Sequence, residues 1–284
     1  MDLDLAKVRE IVERALAEDI GAGDITTRLT TPESAMVSGA IIAKEPAVIA
    51  GLPVAEICFQ LVDARQRFSR LVEDGARVSK GQRVALLNGP AAAALTSERV
   101  ALNFLQRMSG IATRTAAFVK LVQGTRARIV DTRKTTPGLR ILEKYAVRMG
   151  GGSNHRFGLD DGILIKDNHI VAAGGVTAAV NAAKVGAPAG LKVEAEVRSM
   201  AELEEAIASA ADVVLLDNMS IAEMRAAVEF VNHRAEVEAS GGVNEKTVAD
   251  IAATGVDIIS VGALTHSVKA IDLSLELSGP ENPE

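Results

Sequence analysis

The first twenty residues place apolar side chains at the spacing of one helical face. Leu5, Val8, Val12 and Leu16 recur three or four residues apart, with charged residues between them. Residues at these spacings lie on one side of a helix, so the pattern predicts an amphipathic helix. The helix should end near Gly21, because glycine often follows the last helical residue.

After this helix, short runs of strand-forming residues replace the helical spacing. Asp74-Gly75 and Lys80-Gly81 are turn signals that separate the later runs. A further helix is predicted over residues 97–106, and residues 1–110 are expected to form an N-terminal α+β domain. Strands are predicted over four segments: 37–43, 47–50, 67–72 and 83–87.

From about residue 111, short apolar runs alternate with helical stretches. Several strand-to-strand steps are about twenty residues long, which is the length of one strand-helix repeat. Such alternation predicts a parallel sheet, and this many units predict an α/β barrel (TIM-like, possibly incomplete) over residues 111–284. The C-terminal tail is expected to be able to pack back on the N-terminal domain. The strands are predicted over six segments: 127–130, 162–165, 191–197, 212–216, 235–239 and 257–261.

Two of the intervening helices have start signals that do not depend on hydrophobicity. Ser199 precedes Glu202, and Ser220 precedes Glu223, at the spacing of a capping box. These pairs predict helices that begin directly after Ser199 and Ser220.

Composition narrows the class of protein. With six Phe, one Tyr and no Trp, the chain lacks the aromatic residues on which nucleic-acid-binding modules stack bases, and its net charge of −6 has the wrong sign for a general polyanion binder. Its single cysteine, Cys58, excludes an internal disulfide. Charged residues and prolines interrupt the most apolar stretch, residues 41–59, so no membrane span is predicted there. We expect a soluble cytoplasmic protein.

The charges are unevenly distributed along the predicted barrel. Residues 126–166 contain nine Lys and Arg against four Asp and Glu, whereas residues 194–245 contain twelve acidic residues against three arginines. A basic segment can hold an anion, and an acidic one can hold hydroxyl groups or a metal ion.

Polar residues follow each predicted barrel strand. In an α/β barrel the carboxyl ends of the strands meet at one face, where reactive groups lie. The basic segment contributes Arg133, Lys134, His155, Arg156 and Lys166, which suit a small substrate with several negative charges. The strand ends carry six groups: Asp131–Lys134, Lys166–His169, Glu194 with Glu196, Asp217-Asn218, Ser240–Gly242 and Gly262–Leu264.

The last two strands are followed by small residues. Barrel enzymes frequently bind phosphate with the loops after their last two strands, where small side chains let a ligand approach backbone N–H groups. We therefore predict a phosphate site formed by two segments: Ser240-Gly241-Gly242 and Val261-Gly262-Ala263.

At these residues the chain resembles the quinolinate phosphoribosyltransferase family, also called nicotinate-nucleotide pyrophosphorylase (carboxylating). The match runs in order along essentially the whole chain, with Pro46 as a small departure, where the family is expected to have glycine. The matching segments are residues 17–27, 98–106, 109–113, 131–140, 144–148, 150–156, 165–169, 194–197, 215–218, 238–242 and 261–267.

The resemblance implies a reaction and its participants. Quinolinate and 5-phosphoribosyl 1-pyrophosphate, with Mg²⁺, would give nicotinate mononucleotide, pyrophosphate and CO₂ in the de novo synthesis of NAD. It implies catalytic roles for Lys134, Lys166, Glu196 and Asp217, and Glu196 and Asp217 would also hold the ribose hydroxyls and the metal, mainly through substrate and water. In a homodimer or larger homo-oligomer, Arg99 would reach the neighbouring subunit's pocket. The implied substrate-binding residues are Arg99, Thr132, Arg133, Lys134, His155, Arg156, Lys166, Glu196, Asp217, Ser240, Gly241, Gly242, Val261, Gly262 and Ala263.

Three alternatives remain open from the sequence. A paralogous phosphoribosyltransferase of the molybdenum-locus type would share the ribose and phosphate residues but act on a different acid. A Schiff-base aldolase barrel would use Lys166 as its nucleophile. A barrel that binds anions without catalysis is the third.

Overall fold

The computed structural model describes residues 3–279. These residues divide into two compact units, each assembled from separate stretches of chain. The first, here the α+β unit, comprises the chain up to Ala116, Thr136–Gly151 and the chain from Ser267 onward. The second, here the barrel unit, comprises Ala117–Thr135 and Gly152–His266.

The elements that precede the barrel strands form most of the α+β unit. In chain order they are α1 (Leu5–Ile20), α2 (Ile25–Thr30), β1 (Met36–Ala43), β2 (Ala47–Val48), α3 (Leu52–Val62), β3 (Arg67–Arg70), β4 (Arg77–Val78), β5 (Arg83–Pro90) and α4 (Ala91–Leu121).

The remaining elements contain the parallel sheet. In chain order they are β6 (Arg128–Val130), α5 (Arg140–Met149), β7 (Ile163–Ile165), α6 (Asp167–Ala173), α7 (Val176–Gly186), β8 (Val193–Val197), α8 (Met200–Ala208), β9 (Val213–Asp217), α9 (Ile221–Val231), β10 (Glu236–Ser240), α10 (Val248–Ala252), β11 (Ile258–Ser260), α11 (Ala263–His266) and β12 (Leu273–Ser278).

The predicted first helix is present as α1. Its apolar positions Val8, Ile11, Val12 and Leu16 are buried, and Asp4 caps its start by accepting the backbone N–H groups of Ala6 and Lys7. The main sheet of this unit has the order β12-β1-β5-β3. Its edge strand β12 pairs antiparallel with β1 through the whole run from Ser38 to Ala43, so the last described strand joins the sheet formed by the first strands of the chain.

The helix predicted over residues 97–106 is present within α4, which is much longer than predicted and extends over 31 residues. The pair Ser109-Gly110 lies within it. A Cβ on Gly110 would collide with the backbone carbonyl of Lys269, so glycine allows this close approach, while Ser109 Oγ accepts the backbone N–H of Ala50 at 3.1 Å. Serine and glycine normally weaken a helix, but at positions 109 and 110 both residues are needed for tertiary contacts within the α+β unit.

The barrel unit contains a six-stranded sheet whose neighbouring strands all pair in parallel, in the order β6-β11-β10-β9-β8-β7. Each of the six predicted strands is present. The sheet ends at β6 and β7, and Ser153 forms a parallel bridge with Val130 on the outer side of β6. The predicted fold class, an N-terminal α+β domain followed by an incomplete α/β barrel, is confirmed.

Both predicted helix starts in the barrel are also present. Ser220 caps α9 with a complete capping box to Glu223. Ser199 caps α8 by accepting the Glu202 N–H, but the Glu202 carboxylate accepts the backbone N–H of Arg198 instead of that of Ser199. Within residues 3–279, no helix is both long enough and apolar enough to cross a lipid bilayer.

Candidate active site at the carboxyl ends of the barrel strands

A cavity of about 220 Å³ lies at the carboxyl ends of the barrel strands. It brings together predicted residues from both the basic and the acidic segments. Leu164, Leu215, Glu238 and Ser260 complete its wall, although the sequence did not single them out. The predicted residues that line it are Thr132, Arg133, Lys134, His155, Arg156, Lys166, Glu196, Asp217 and Ser240.

The loop after β6 supplies the first basic residues. Thr132 Oγ1 accepts the backbone N–H of Lys134 at 3.1 Å, and the hydroxyl of Thr265 donates to the Lys134 carbonyl at 2.8 Å. These bonds fix the turn that carries Arg133 and Lys134. Burial, and then the nearby charge of Arg133, lower the pKa of Arg156. Two guanidinium groups close enough to repel each other form a site that favours an anion.

Asp131 positions the second basic loop. Its carboxylate is fully buried and accepts the His155 N–H at 3.0 Å and the Asn154 side-chain amide at 2.5 Å. The Arg156 guanidinium donates to the Gly162 carbonyl at 2.9 Å. The loop is therefore anchored to the end of β6 before any ligand binds.

His155 faces two buried carboxylates inside the barrel. Its Nε2 lies 3.1 Å from Glu194 Oε2 and 3.5 Å from Glu238 Oε2, while its Nδ1 accepts the backbone N–H of Arg156 at 2.8 Å. Burial opposes a charge on the ring, but the hydrogen bond to Glu194 and the proximity of Glu238 outweigh it and raise the pKa of His155. Because Nδ1 already accepts a hydrogen bond, a second ring proton requires that this bond break.

The two carboxylates are more than one imidazole can satisfy. Glu238 is 1% exposed, and among the described residues neither of its oxygens has a hydrogen-bond partner. Burial raises the pKa of Glu194. The hydrogen bond from His155 opposes this effect, whereas the nearby charge of Glu238 adds to it. The barrel interior therefore packs two acidic side chains against one imidazole, and His155 and Glu238 of this cluster line the same cavity as the basic residues.

Acidic residues occupy the opposite side of the site. Glu196, in β8, and Asp217, at the end of β9, are largely buried, and Lys166 Nζ lies 3.6 Å from Glu196. The guanidinium of Arg198, which the sequence did not single out, contacts Glu196, Asp217 and Asp167. Carboxylate oxygens from neighbouring strand ends are the ligand type that Mg²⁺ prefers, so this donor set fits that ion.

The predicted phosphate segments follow β10 and β11. Gly241 has a φ of +92°, and a Cβ there would collide with the side chain of Asn218, so this position requires glycine. The Val261 N–H donates to the Val130 carbonyl at 2.9 Å and is not available to a ligand. Outside the helices and strands, the backbone–backbone hydrogen bonds of the described residues include none donated by Gly241, Gly242 or Gly262. Ser240 is the member of the two segments that lines the cavity, and Ser260, directly before the second segment, lines it too.

Arg99 is not among the residues that line this cavity. It lies on α4, within the α+β unit, and its side chain is exposed. Its predicted role in a neighbouring subunit stays a prediction.

A second cavity, of about 380 Å³, opens at the amino ends of the strands. Arg128, Lys192 and Glu236 line it there, and it shares His155, Arg156 and Glu238 with the first cavity. Reactive groups of α/β barrels lie at the carboxyl ends, so we assign the chemistry to the first cavity.

The amino-acid sequence is similar to known proteins of one family. Residues 24–109 match the family model described as the quinolinate phosphoribosyl transferase N-terminal domain, and residues 111–276 match that of the C-terminal domain. The nicotinate-nucleotide pyrophosphorylase [carboxylating] of Mycobacterium leprae is 45% identical over 97% of this chain and 99% of its own length. A probable enzyme of the same name from Bacillus subtilis is 42% identical over 96% of this chain and 94% of its own length.

Solved structures extend the similarity to three dimensions. The nicotinate-nucleotide pyrophosphorylase of Francisella tularensis superposes with a TM-score of 0.93 at 41% identity and covers 98% of each chain. The structure named NadC from Streptococcus pyogenes gives a TM-score of 0.95 at 41% identity, over 99% of this chain and 100% of that one. With its basic and acidic residues facing one cavity, this chain belongs to the quinolinate phosphoribosyltransferase family.

Proposed function

We propose that this protein transfers the phosphoribosyl group of 5-phosphoribosyl 1-pyrophosphate to quinolinate with loss of CO₂, giving nicotinate mononucleotide and pyrophosphate for NAD synthesis. The observation that carries the proposal is one cavity lined both by Arg133 and Arg156 and by Glu196 and Asp217. A dicarboxylate needs the basic pair, and a ribosyl cation needs the acidic pair. Family membership supports the same reaction and leaves the Schiff-base aldolase without support.

The basic side binds quinolinate. Arg133 and Arg156 present planar forks that suit carboxylates, and Lys134 and Lys166 add further positive charge. His155 lies below them with both ring nitrogens engaged. His155 contributes to substrate binding through Arg156. Its Nδ1 accepts the backbone N–H of Arg156 and so helps to fix the position of that arginine.

The acidic side acts on the ribose. Glu196 and Asp217 accept hydrogen bonds from the ribose hydroxyls and stabilise positive charge at ribose C1 as its bond to the diphosphate oxygen breaks. They also hold Mg²⁺, mainly through substrate and water, and when bound this ion supplies charge that neutralises the departing diphosphate. We assign the 5′-phosphate to the backbone N–H groups of Gly241, Gly242 and Gly262, with Ser240 and Ala263 beside them in the chain.

The decarboxylation follows from the new bond. As the pyridine nitrogen bonds to ribose C1, the ring becomes a cation. The bond from ring C2 to its carboxylate then breaks, CO₂ leaves, and the electron pair remains on C2 until it takes a proton. No covalent enzyme intermediate is required.

Two further features belong to the proposal. The enzyme acts as a homodimer or larger oligomer in which Arg99 completes the neighbour's site, since this arginine is exposed and lies on α4, outside the barrel loops. It works in the cytoplasm, where a chain with one buried cysteine and no disulfide is expected to function.

The test is an assay of purified protein with quinolinate, 5-phosphoribosyl 1-pyrophosphate and Mg²⁺. We expect equal amounts of nicotinate mononucleotide, pyrophosphate and CO₂, and strongly reduced turnover in Glu196→Gln. Consumption of the donor with another pyridine acid but without CO₂ release from quinolinate would favour the molybdenum-locus alternative. No turnover with any acid acceptor would contradict the proposal.

A further inference from the structure

Three carboxylates from three consecutive strand ends converge on one guanidinium. Arg198 Nη2 lies 2.9 Å from Asp167 Oδ2 and 3.7 Å from Glu196 Oε1, and Arg198 Nε lies 3.4 Å from Asp217 Oδ2. Asp167 follows β7, Glu196 lies in β8 and Asp217 ends β9. Arg198 is therefore the shared counter-ion of the acidic side of the site.

The backbone holds Arg198 at this position independently of its side chain. Arg198 follows the last residue of β8 and precedes Ser199, the N-cap of α8. Its backbone N–H donates to Glu202 Oε2 at 2.6 Å, and the Glu202 N–H in turn donates to Ser199 Oγ at 3.2 Å. The start of α8 thus fixes the Arg198 backbone beside the cavity, whereas its side chain is 53% exposed and able to move.

The partners of Arg198 have another use during the reaction. Glu196 and Asp217 line the cavity, and the proposed function assigns them to the ribose hydroxyls and the metal ion. When those groups bind, the two carboxylates interact with them instead of the guanidinium, which becomes a cation with fewer counter-ions. The donor brings a diphosphate to the same side, and guanidinium groups bind phosphate oxygens through paired hydrogen bonds.

We propose that Arg198 binds the diphosphate of the ribosyl donor, and that Asp167, Glu196 and Asp217 hold its guanidinium beside the cavity until the donor arrives. This inference rests on the proposed function. If the proposed function holds, Arg198 is a further substrate-binding residue, and it contacts the leaving group of the ribosyl donor.

Calorimetric titration with inorganic pyrophosphate in the presence of Mg²⁺ tests the proposal. We expect Arg198→Gln to bind pyrophosphate about ten- to a hundredfold more weakly than the wild type, the range for loss of a charged hydrogen-bonding group. Arg198→Lys should recover part of the affinity, since it restores the charge without the fork. The matched control is Arg225→Gln, an exposed arginine on α9, which should bind as the wild type does.

A second titration, with quinolinate, separates this role from general damage to the site. All variants should bind quinolinate with wild-type affinity, and thermal unfolding should confirm that each one is folded. Equal pyrophosphate affinity in Arg198→Gln and wild type would overturn the inference, and would leave Arg198 as a structural counter-ion. Failure of the wild type itself to bind pyrophosphate would instead count against the proposed function.

Discussion

His155 and the two buried glutamates form an arrangement that a residue list does not reveal. Glu194 and Glu238 come from β8 and β10, and both lie within ion-pair distance of one imidazole. Removing a buried charge that lacks a full partner often stabilises a protein, whereas removing the only partner of a buried charge destabilises it. Because two carboxylates share one imidazole, Glu238 is the buried group that lacks a full partner, and its removal should stabilise the protein.

Glu238→Gln should therefore affect stability and activity in opposite directions. We expect the free energy of unfolding to rise by about 1 kcal/mol, because one imidazole and one carboxylate remain paired. We expect kcat/KM for quinolinate to fall, because Glu238 lines the cavity and lies 3.5 Å from His155 Nε2. Urea denaturation and steady-state kinetics measure the two effects. Glu236→Gln is the control on the same strand, since Glu236 pairs with Arg128 and Lys192 at the opposite end of the barrel and should leave activity unchanged.

The two arginines of the basic side give a second prediction at this scale. Arg133→Ala and Arg156→Ala should each weaken quinolinate binding by about 2–4 kcal/mol, or roughly 30- to 1000-fold, because each removes a charged fork from a partly dry site. Isothermal calorimetry measures the affinity. Arg128→Ala is the matched control, because Arg128 begins β6 and lines the other cavity. Wild-type affinity in both site variants would refute the carboxylate-binding assignment.

At the scale of elements, α3 shows how one residue can cap a distant helix. Gly51 precedes α3 and has a φ of +107°, and a Cβ there would approach Met108 Sδ to 2.8 Å. A capping Ser or Asp is therefore excluded at this position. Asp74 replaces it, accepting the N–H groups of Gly51 at 2.8 Å and Leu52 at 3.1 Å, and the Tyr145 hydroxyl at 2.8 Å.

Asp74→Ala should destabilise the protein by about 2–3 kcal/mol, because two helix N–H groups and one phenol lose their acceptor. Tyr145→Phe should cost less, about 1 kcal/mol, since it removes one of these three hydrogen bonds. Chemical denaturation followed by circular dichroism measures both changes. Asp63→Ala removes a carboxylate whose partner, the Arg65 side chain, is exposed, and should change stability by less, about 0.5 kcal/mol. An equally small effect of Asp74→Ala would show that water caps α3 adequately.

At the scale of the whole molecule, the compact units are built from separated stretches of the chain. Thr136–Gly151 belongs to the α+β unit although it lies between two strands of the barrel. The pattern of alternating strands and helices does not reveal this, because α5 has the spacing of an ordinary connecting helix. The helix α5 belongs to the α+β unit because of contacts such as that of Glu143. This residue is buried, and its carboxylate accepts a hydrogen bond from the guanidinium of Arg107, on α4, at 2.5 Å.

The proposed oligomer gives the last prediction. Arg99→Ala and Lys134→Ala should each be inactive alone, but mixing them should restore up to about a quarter of wild-type activity. About half of the dimers are then mixed, and each mixed dimer has one intact site of two if the pairing is symmetric. The measurement is turnover after proven subunit exchange. Activity that remains at the level of the separate variants would rule out a shared site.

Features that are encoded within a few neighbouring residues could be predicted from the amino-acid sequence. Apolar spacing predicted α1 and all six barrel strands, and Ser220 with Glu223 predicted the start of α9. The polar residues at the strand ends also followed from the sequence, because parallel strands necessarily bring their carboxyl ends to one edge. Together with the ordered motifs, these features identified the family.

Contacts between side chains that are distant in the sequence became known from the folded structure. The cap of α3 by Asp74, the burial of Glu194 and Glu238 around His155, and the three carboxylates on Arg198 each join residues from different elements. Local spacing carries no information on these contacts, since they depend on the order of strands in the sheet and on the direction of each side chain. The same reason explains the length of α4, where a glycine that disfavours a helix locally is required by the backbone that packs against it.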